Sequence, residues 1–343
     1  MKKRIRILSI DGGGIRGIIP AVILNELEAR LQVKSGTDQR LAEYFDFMAG
    51  TSTGGILVCG YLCPDSNGRP KHPATTLRDL YLDHGGDIFD ISFKQKVRSL
   101  GGLTDEKYDN AALRKVIRDT VGDTMLKDLL LPCLIPAYDI EKRRAVMFNQ
   151  DDAHKPRRNF LVRDVALATT AAPTYFETAQ IQAEEGGKLA LIDGGVFANN
   201  PAMCAYAEVR QTNFGRTTGD KKKWNRPRSG NMMMLSIGCG ELKQSYDYKA
   251  AKDWGLAGWA QPIMDILQGG NSETVSYQLK LLFEASKSED FYHRWEPALG
   301  KACGDLDDAE PKNLEALKAA GEAFIAQNSA QIDLVVEQLL GNE

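Results

Sequence analysis

The residues from Ile5 to Ile10 alternate and then run mostly apolar, the pattern of an inner strand in a mostly parallel sheet. They empty into Asp11-Gly12-Gly13-Gly14-Ile15-Arg16-Gly17, and a helix follows. Pro20 suits its first turn, Ile23, Leu24, Leu27 and Leu31 share one face, and Glu26, Glu28 and Arg30 are expected outside. A second apolar run, 44–49, enters Gly50-Thr51-Ser52-Thr53-Gly54 and continues as Gly55-Ile56-Leu57-Val58-Cys59, which reads as strand, turn and buried helix. Helical spacing returns over 74–82, and again over 111–120, where Asn110 is placed to cap. Residues 132–139 and 144–148 read as two strands around the turn Glu141-Lys142-Arg143, so this pair is expected to be antiparallel.

Beyond it, 161–172 is a small-residue helix ended at Pro173, and 188–192 is a buried strand running into Asp193-Gly194-Gly195. Asn199-Asn200-Pro201 opens a helix through Val209, and 232–237 is another buried strand. Trp254, Trp259, Ile263 and Ile266 predict helices packed on the core, 291–295 a last strand, and 311–340 amphipathic helices. The stretch 212–231, with Lys221-Lys222-Lys223, reads as an exposed loop. No internal repeat interrupts this order.

A chain of 343 residues with 43% apolar content can hold one large α/β domain or two smaller ones. Lys and Arg number 43 against 46 Asp and Glu, a net charge of −3, which argues against a nucleic-acid polymer as partner. The basic start and short apolar run at the N-terminus are too brief for a signal segment, and no stretch approaches the ~20 apolar residues of a membrane span. Any membrane contact is therefore expected to be peripheral. Ile88, Phe89, Ile91 and Phe93 form a bulky segment that either folds back on the core or meets an interface, and Phe89, Ile91 and Phe93 are the expected membrane contacts. Six cysteines without a C-x-x-C pair read as reduced thiols of a cytoplasmic protein, associating transiently with the inner membrane surface. No metal-binding spacing occurs among the four histidines, and no metal or other cofactor is expected.

The chemistry concentrates in three places. In Gly50-Thr51-Ser52-Thr53-Gly54 a strand turns sharply into a helix, leaving no room for side chains beside Ser52; this is the G-x-S-x-G pattern of a nucleophile elbow, or else a Gly/Ser-rich turn. Gly12, Gly14 and Gly17 match G-x-G-x-x-G, but residues 32–38 form a polar turn where a nucleotide fold would end its second strand in an acid. The same loop can instead turn successive backbone N–H groups toward one point, as an oxyanion hole does. Asp193, at a strand end before two glycines, is placed for a site, or for an Asx-turn.

Together, Asp11-Gly-Gly-Gly-Ile-Arg-Gly17, Gly50-Thr-Ser-Thr-Gly54 and Asp193-Gly-Gly195 with the following Val-Phe-Ala-Asn-Asn-Pro201 resemble the patatin-like phospholipase family. Ala171-Ala-Pro-Thr-Tyr-Phe176 and Leu235-Ser-Ile-Gly-Cys-Gly240 are similar too. The resemblance implies a lipid acyl hydrolase on a three-layer α/β/α sandwich with a mostly parallel central sheet, with residues 5–240 as catalytic core and 241–343 as a mainly helical extension packed on it. It implies Ser52 as nucleophile, Asp193 as its base, Gly12, Gly13 and Gly14 as oxyanion loop held by Arg16, and Gly50 and Gly54 as the elbow's flanks. The substrate is then a phospholipid or glycerolipid. In a parallel sheet the strand ends gather on one edge, which is expected to bring Asp193 beside Ser52; no histidine has a context that suits a base. Acyl transfer to an acceptor other than water, a membrane-degrading antiviral effector with a cyclic-nucleotide activator, a nucleotide-binding module and a non-catalytic storage protein are the alternatives.

Overall fold

A computed structural model of the chain describes residues 3–88, 110–217, 224–241 and 246–341. The strand pattern read from the sequence becomes one eight-stranded sheet. Its parallel part runs β3 (Cys133–Asp139), β2 (Phe47–Gly50), β1 (Ile5–Ile10), β7 (Met232–Ile237), β8 (Tyr292–Trp295). The alternation within strands divides two cores. Ile5, Ile7, Phe47, Ala49, Met232 and Met234 face one side, and Leu8, Ile10, Met48, Met233, Leu235 and Ile237 the other. The larger core is covered by α1 (Ile18–Ser35), α2 (Thr53–Leu62), α3 (Ala74–Ile88), α4 (Asn110–Val121) and α5 (Val162–Thr169). The smaller core is covered by α6 (Ala202–Val209) and α7 (Leu256–Ala285), and α8 (Pro311–Gln327) and α9 (Ser329–Leu340) pack back onto α1, completing a three-layer α/β/α sandwich.

The part of the sheet that differs from the parallel expectation is the part that builds the site. β4 (Arg144–Asn149) pairs antiparallel along β3 from Leu134 to Asp139, occupying one whole edge of that strand. A strand has two edges, so β2, paired at Cys133 and Leu134, and β6 (Lys188–Asp193), paired antiparallel at 137–139, must share the other. β2 and β6 therefore approach each other end to end, one running up to Gly50 and the other down to Asp193. β5 (Ala179–Gln182) pairs antiparallel on β6. Asp193 thus reaches the elbow on an antiparallel strand, and not through the gathering of parallel strand ends.

Three further expectations change in the fold. Glu28 is buried, its carboxylate accepting the amides of Leu41 (2.6 Å) and Ala74 (2.9 Å), so it fastens α1 to the segments leading into β2 and α3. Trp259, Ile263 and Ile266 are 40%, 41% and 44% exposed, while Val275, Leu279 and Phe283 of the same helix carry the core contact. Ser286, just past the end of α7, hydrogen-bonds Ser229 ahead of β7, whereas Ser272 hydrogen-bonds Asp11 just past β1. α7 therefore runs antiparallel to β1, and its residues before 271 extend about 20 Å beyond the carboxyl edge of the strands. Within the 212–231 stretch, Phe214 is buried in the smaller core. Lys221, Lys222, Lys223, Phe89, Ile91 and Phe93 lie outside the described residues.

Close approach fixes the elbow's flanks. A Cβ on Gly54 would overlap the carbonyl oxygen of Ile10, and one on Gly50 the carbonyl of Gly54. These obstacles are backbone and cannot rotate away. Gly54→Ala is expected to destabilise the protein by about 2–3 kcal/mol, read as a lower denaturation midpoint in guanidinium chloride; an unchanged midpoint would mean that α2 packs less closely on β1.

Candidate active site

Ser52 sits between the end of β2 and the start of α2 at φ 53°, ψ −122°, a backbone conformation that a side chain of this size rarely adopts. Three bonds support it. Its amide donates to Thr169 Oγ1 (3.0 Å), whose hydroxyl donates to the Pro136 carbonyl (2.6 Å), and Thr51 Oγ1 donates to the carbonyl of Ala198 (2.7 Å). The elbow is thereby tied to α5, to β3 and to the one-turn helix Gly195–Ala198 that follows Asp193. Thr169 escaped the sequence reading because it looks like any helix-terminal threonine; its signal lies only in its place at the end of α5.

Ser52 Oγ donates to Asp193 Oδ2 at 2.6 Å. The other carboxylate oxygen accepts the Gly195 amide, also at 2.6 Å, so the Asx-turn and the contact with the serine coexist on one side chain. Burial pushes the Asp193 carboxyl up to about 6, against the opposing pull of the bonds from Ser52 and Gly195. Among the described residues no histidine hydrogen-bonds either member of the pair. His72 Nε2 meets the Thr120 carbonyl and His293 Nε2 meets Gln338 Oε1, so each of these two rings is engaged elsewhere.

The glycine loop abuts the serine. A Cβ on Gly12 would lie 3.2 Å from that of Ser52 and 2.6 Å from Asn199 Oδ1. Its three glycines are not equivalent. The Gly12 amide donates to the Asn199 carbonyl (3.0 Å) and the Ile15 amide to the Leu306 carbonyl (2.8 Å), whereas no acceptor among the described residues engages the amides of Gly13 and Gly14. Arg16, itself buried, reaches the carbonyls of Gly13 and Gly240, both at 3.4 Å. Ser52, Asp193, Gly12, Gly13, Gly14, Arg16, Gly50 and Gly54 thus lie in one constellation at the carboxyl edge of β1 and β2.

Residues 8–206 match the family model of the patatin-like phospholipases, more than half of the chain. The chain belongs to the patatin-like phospholipase family. Its curated relatives include patatin-like protein 2 of Oryza sativa subsp. indica, 35% identical over 97% of this chain and 86% of that protein. Patatin-like protein 2 of Arabidopsis thaliana is 35% identical over 96% and 85%, and the "Probable inactive patatin-3-Kuras 1" of Solanum tuberosum 32% identical over 95% and 88%. Among solved structures, VipD from Legionella pneumophila aligns over 96% of this chain and 67% of its own at 11% identity and a TM-score of 0.40, too loose a fit to bear on the site. Family membership carries lipid acyl hydrolysis as the general activity. No helix among the described residues of this patatin-like chain is long and apolar enough to cross a membrane.

The buried carboxylate has a thermodynamic consequence. An unfolded aspartate titrates near 3.9, so the native state holds the Asp193 proton to higher pH than the unfolded state does. Stability linked to this group is present below about pH 4 and is lost as pH rises through about 6. Asp193→Asn removes the buried charge and keeps the shape. It is expected to raise the stability at pH 7.5 by an amount on the order of 2–3 kcal/mol, seen as a higher melting temperature, with the difference shrinking toward pH 4. Calorimetry at the two pH values checks this, and a variant less stable than wild type at pH 7.5 would contradict it.

Proposed function

We propose that this protein hydrolyses fatty-acyl esters of phospholipids or related glycerolipids through an acyl-serine intermediate, with Ser52 as nucleophile and Asp193 as its base. The observation that carries this reading is the 2.6 Å bond from Ser52 Oγ to a buried carboxylate whose pKa stands at about 6. An ordinary aspartate is too weak a base at neutral pH to activate a serine; desolvation removes much of that deficit. In the first half-reaction Asp193 takes the hydroxyl proton as Oγ bonds to the acyl carbon. The tetrahedral oxyanion is met by the free amides of Gly13 and Gly14, with the N-terminus of α2 adding its dipole. Collapse breaks the ester bond, and the departing alcohol oxygen leaves with the proton from Asp193. Water, deprotonated by the same carboxylate, then attacks the acyl-serine; as the acyl–Oγ bond breaks and the fatty acid leaves, Asp193 returns that proton to Ser52 Oγ.

Within this reading Gly12 acts by its lack of a side chain, since its amide is already bonded. Arg16 holds the loop, and Gly50 and Gly54 permit the turn. A nucleotide cradle draws less support, because Leu306 lies against the outer side of Gly14 and takes the Ile15 amide. A relative described as a probable inactive patatin makes the non-catalytic reading a real alternative, against which the intact Ser52–Asp193 bond counts. Acyl transfer shares every step up to the acyl-serine and differs only in the acceptor.

Substrate held in a bilayer has to reach Ser52 from a surface. Trp259, Ile263, Ile266 and Leu267 follow helical spacing along the part of α7 that extends past the catalytic edge, and they are 40–55% exposed. They supply the peripheral membrane contact in this reading.

Wild-type protein is expected to release free fatty acid from phosphatidylcholine vesicles, and Ser52→Ala to lose that release by several orders of magnitude. Because the base must be ionised, kcat/KM should rise about tenfold per pH unit below about pH 6 and level off above it. Serine at Trp259, Ile263 and Ile266 together should slow vesicle hydrolysis and leave a soluble ester unaffected. An active Ser52→Ala variant, or a rate flat between pH 4.5 and 6, would refute the dyad; equal losses on both substrates would refute the membrane contact.

A further inference from the structure

Asp11, the first residue of the glycine loop, is buried, and the contacts of its carboxylate come from far along the chain. Arg294 Nη1 donates to Oδ1 at 3.0 Å and Nη2 to Oδ2 at 2.7 Å, a forked pair, while Ser272 Oγ donates to Oδ2 at 3.0 Å. The same guanidinium donates to Ser236 Oγ and Ser272 Oγ, both at 2.9 Å, and to Glu296. One side chain on β8 thus joins the start of the loop to β7 and α7. The backbone agrees with it: the Asp11 amide donates to Ile237, and the Asp11 carbonyl accepts from Cys239 Sγ. Every one of these partners lies outside residues 8–206, the part matched by the family model.

Nothing in the reaction uses this cluster directly, yet Asp11 immediately precedes Gly12, which abuts Ser52, and the Gly13 and Gly14 amides, which have no acceptor among the described residues. A forked guanidinium–carboxylate pair fixes direction as well as distance, because two parallel N–H···O bonds resist rotation of the carboxylate. Lysine carries the charge without the fork. Asp11 is followed by three glycines, which by themselves set no orientation for their amides. The loop's direction has to be imposed by the bonds around it: those of the Gly12 and Ile15 amides to the carbonyls of Asn199 and Leu306, Arg16 on one side and Asp11 on the other.

We propose that Arg294 is a positioning residue for acyl transfer: its forked bond to Asp11 sets where the Gly13 and Gly14 amides point, and so how well the oxyanion is stabilised, without touching substrate. The inference rests on the acyl-serine reading given above and extends the site to the C-terminal part of the chain. Ser272 belongs to the same device, through which α7 bears on the loop.

The test uses full-length protein, a soluble p-nitrophenyl ester and an alkyl trifluoromethyl ketone, which adds reversibly to a serine hydroxyl and places its hemiketal oxygen where the oxyanion forms. Arg294→Lys, Arg294→Gln, Asp11→Asn and the double variant Asp11→Asn with Arg294→Gln are compared at a temperature where circular dichroism shows each to be folded. The single variants are expected to lose about 100-fold in kcat and in ketone affinity together, with KM within about threefold. The double variant, which no longer buries an unpaired charge, should regain thermal stability over Arg294→Gln without regaining kcat. Should Arg294→Gln not fold, Arg294→Lys and Asp11→Asn carry the same comparison. Folded single variants with kcat and ketone affinity within threefold of wild type would overturn the proposal, as would a double variant whose activity returns in step with its stability. Wild-type protein that neither turns over the ester nor binds the ketone would overturn the acyl-serine reading itself, and the positioning role with it.

Discussion

The hydrogen bond from Ser52 Oγ to Asp193 Oδ2 joins residues 141 apart in sequence, and the architecture around it follows from the requirement that two strands meet head-on. β3 is longer than the part of β2 that pairs with it, and β4 closes its opposite edge. The remaining length of the shared edge is filled by β6 arriving from the other direction. Two residues of β3 separate Leu134, the last to pair with β2, from Ala137, the partner of Asp193, a rise of about 10 Å, and the elbow occupies this gap. A strand entering in the parallel sense would have carried its carboxyl end away from that gap.

This arrangement joins two unfavourable features so that each supports the other. Ser52 is held at a positive φ that it would not choose alone, and Asp193 is an ion in an apolar setting. The turn is sustained by bonds to Thr169 and Ala198, and the carboxylate accepts exactly the two donors that its position offers among the described residues, Ser52 and Gly195. Two hydrogen bonds are too few to return the group to an ordinary aspartate's pKa, which leaves it suited to take a proton near neutrality.

Much of the fold was legible in the sequence because it rests on local pattern. The alternation in β1, β2 and β7, the hairpin of β3 and β4, and the crowding of glycines around Ser52 all follow from spacing and side-chain size. What was not legible depends on partners distant in the chain. Glu28 looks like an outer-face residue of α1 until the amides of Leu41 and Ala74 are brought to it. Trp259 and Ile263 look like core residues because hydrophobicity alone does not say that a helix outruns its sheet. The unequal roles of Gly12, Gly13 and Gly14 depend on where the carbonyls of Asn199 and Leu306 fall, and no motif encodes that. Arg294 offered the one hint of its kind, a charged residue within an otherwise aromatic-rich strand.

The central claim is that Ser52 becomes acylated with a carboxylate, and no imidazole, as its base. Rapid-quench mass spectrometry with p-nitrophenyl palmitate tests it most directly, by locating the palmitoyl group and timing its appearance in wild type, Asp193→Asn and a variant with alanine at His72, His84, His154 and His293. The account predicts palmitoyl on the peptide containing Ser52, formed at least 1,000-fold more slowly in Asp193→Asn, an order of magnitude typical for loss of an essential base, and at a near wild-type rate in the histidine variant. Acylation at another residue, or a rate that depends on a histidine and not on Asp193, would contradict it.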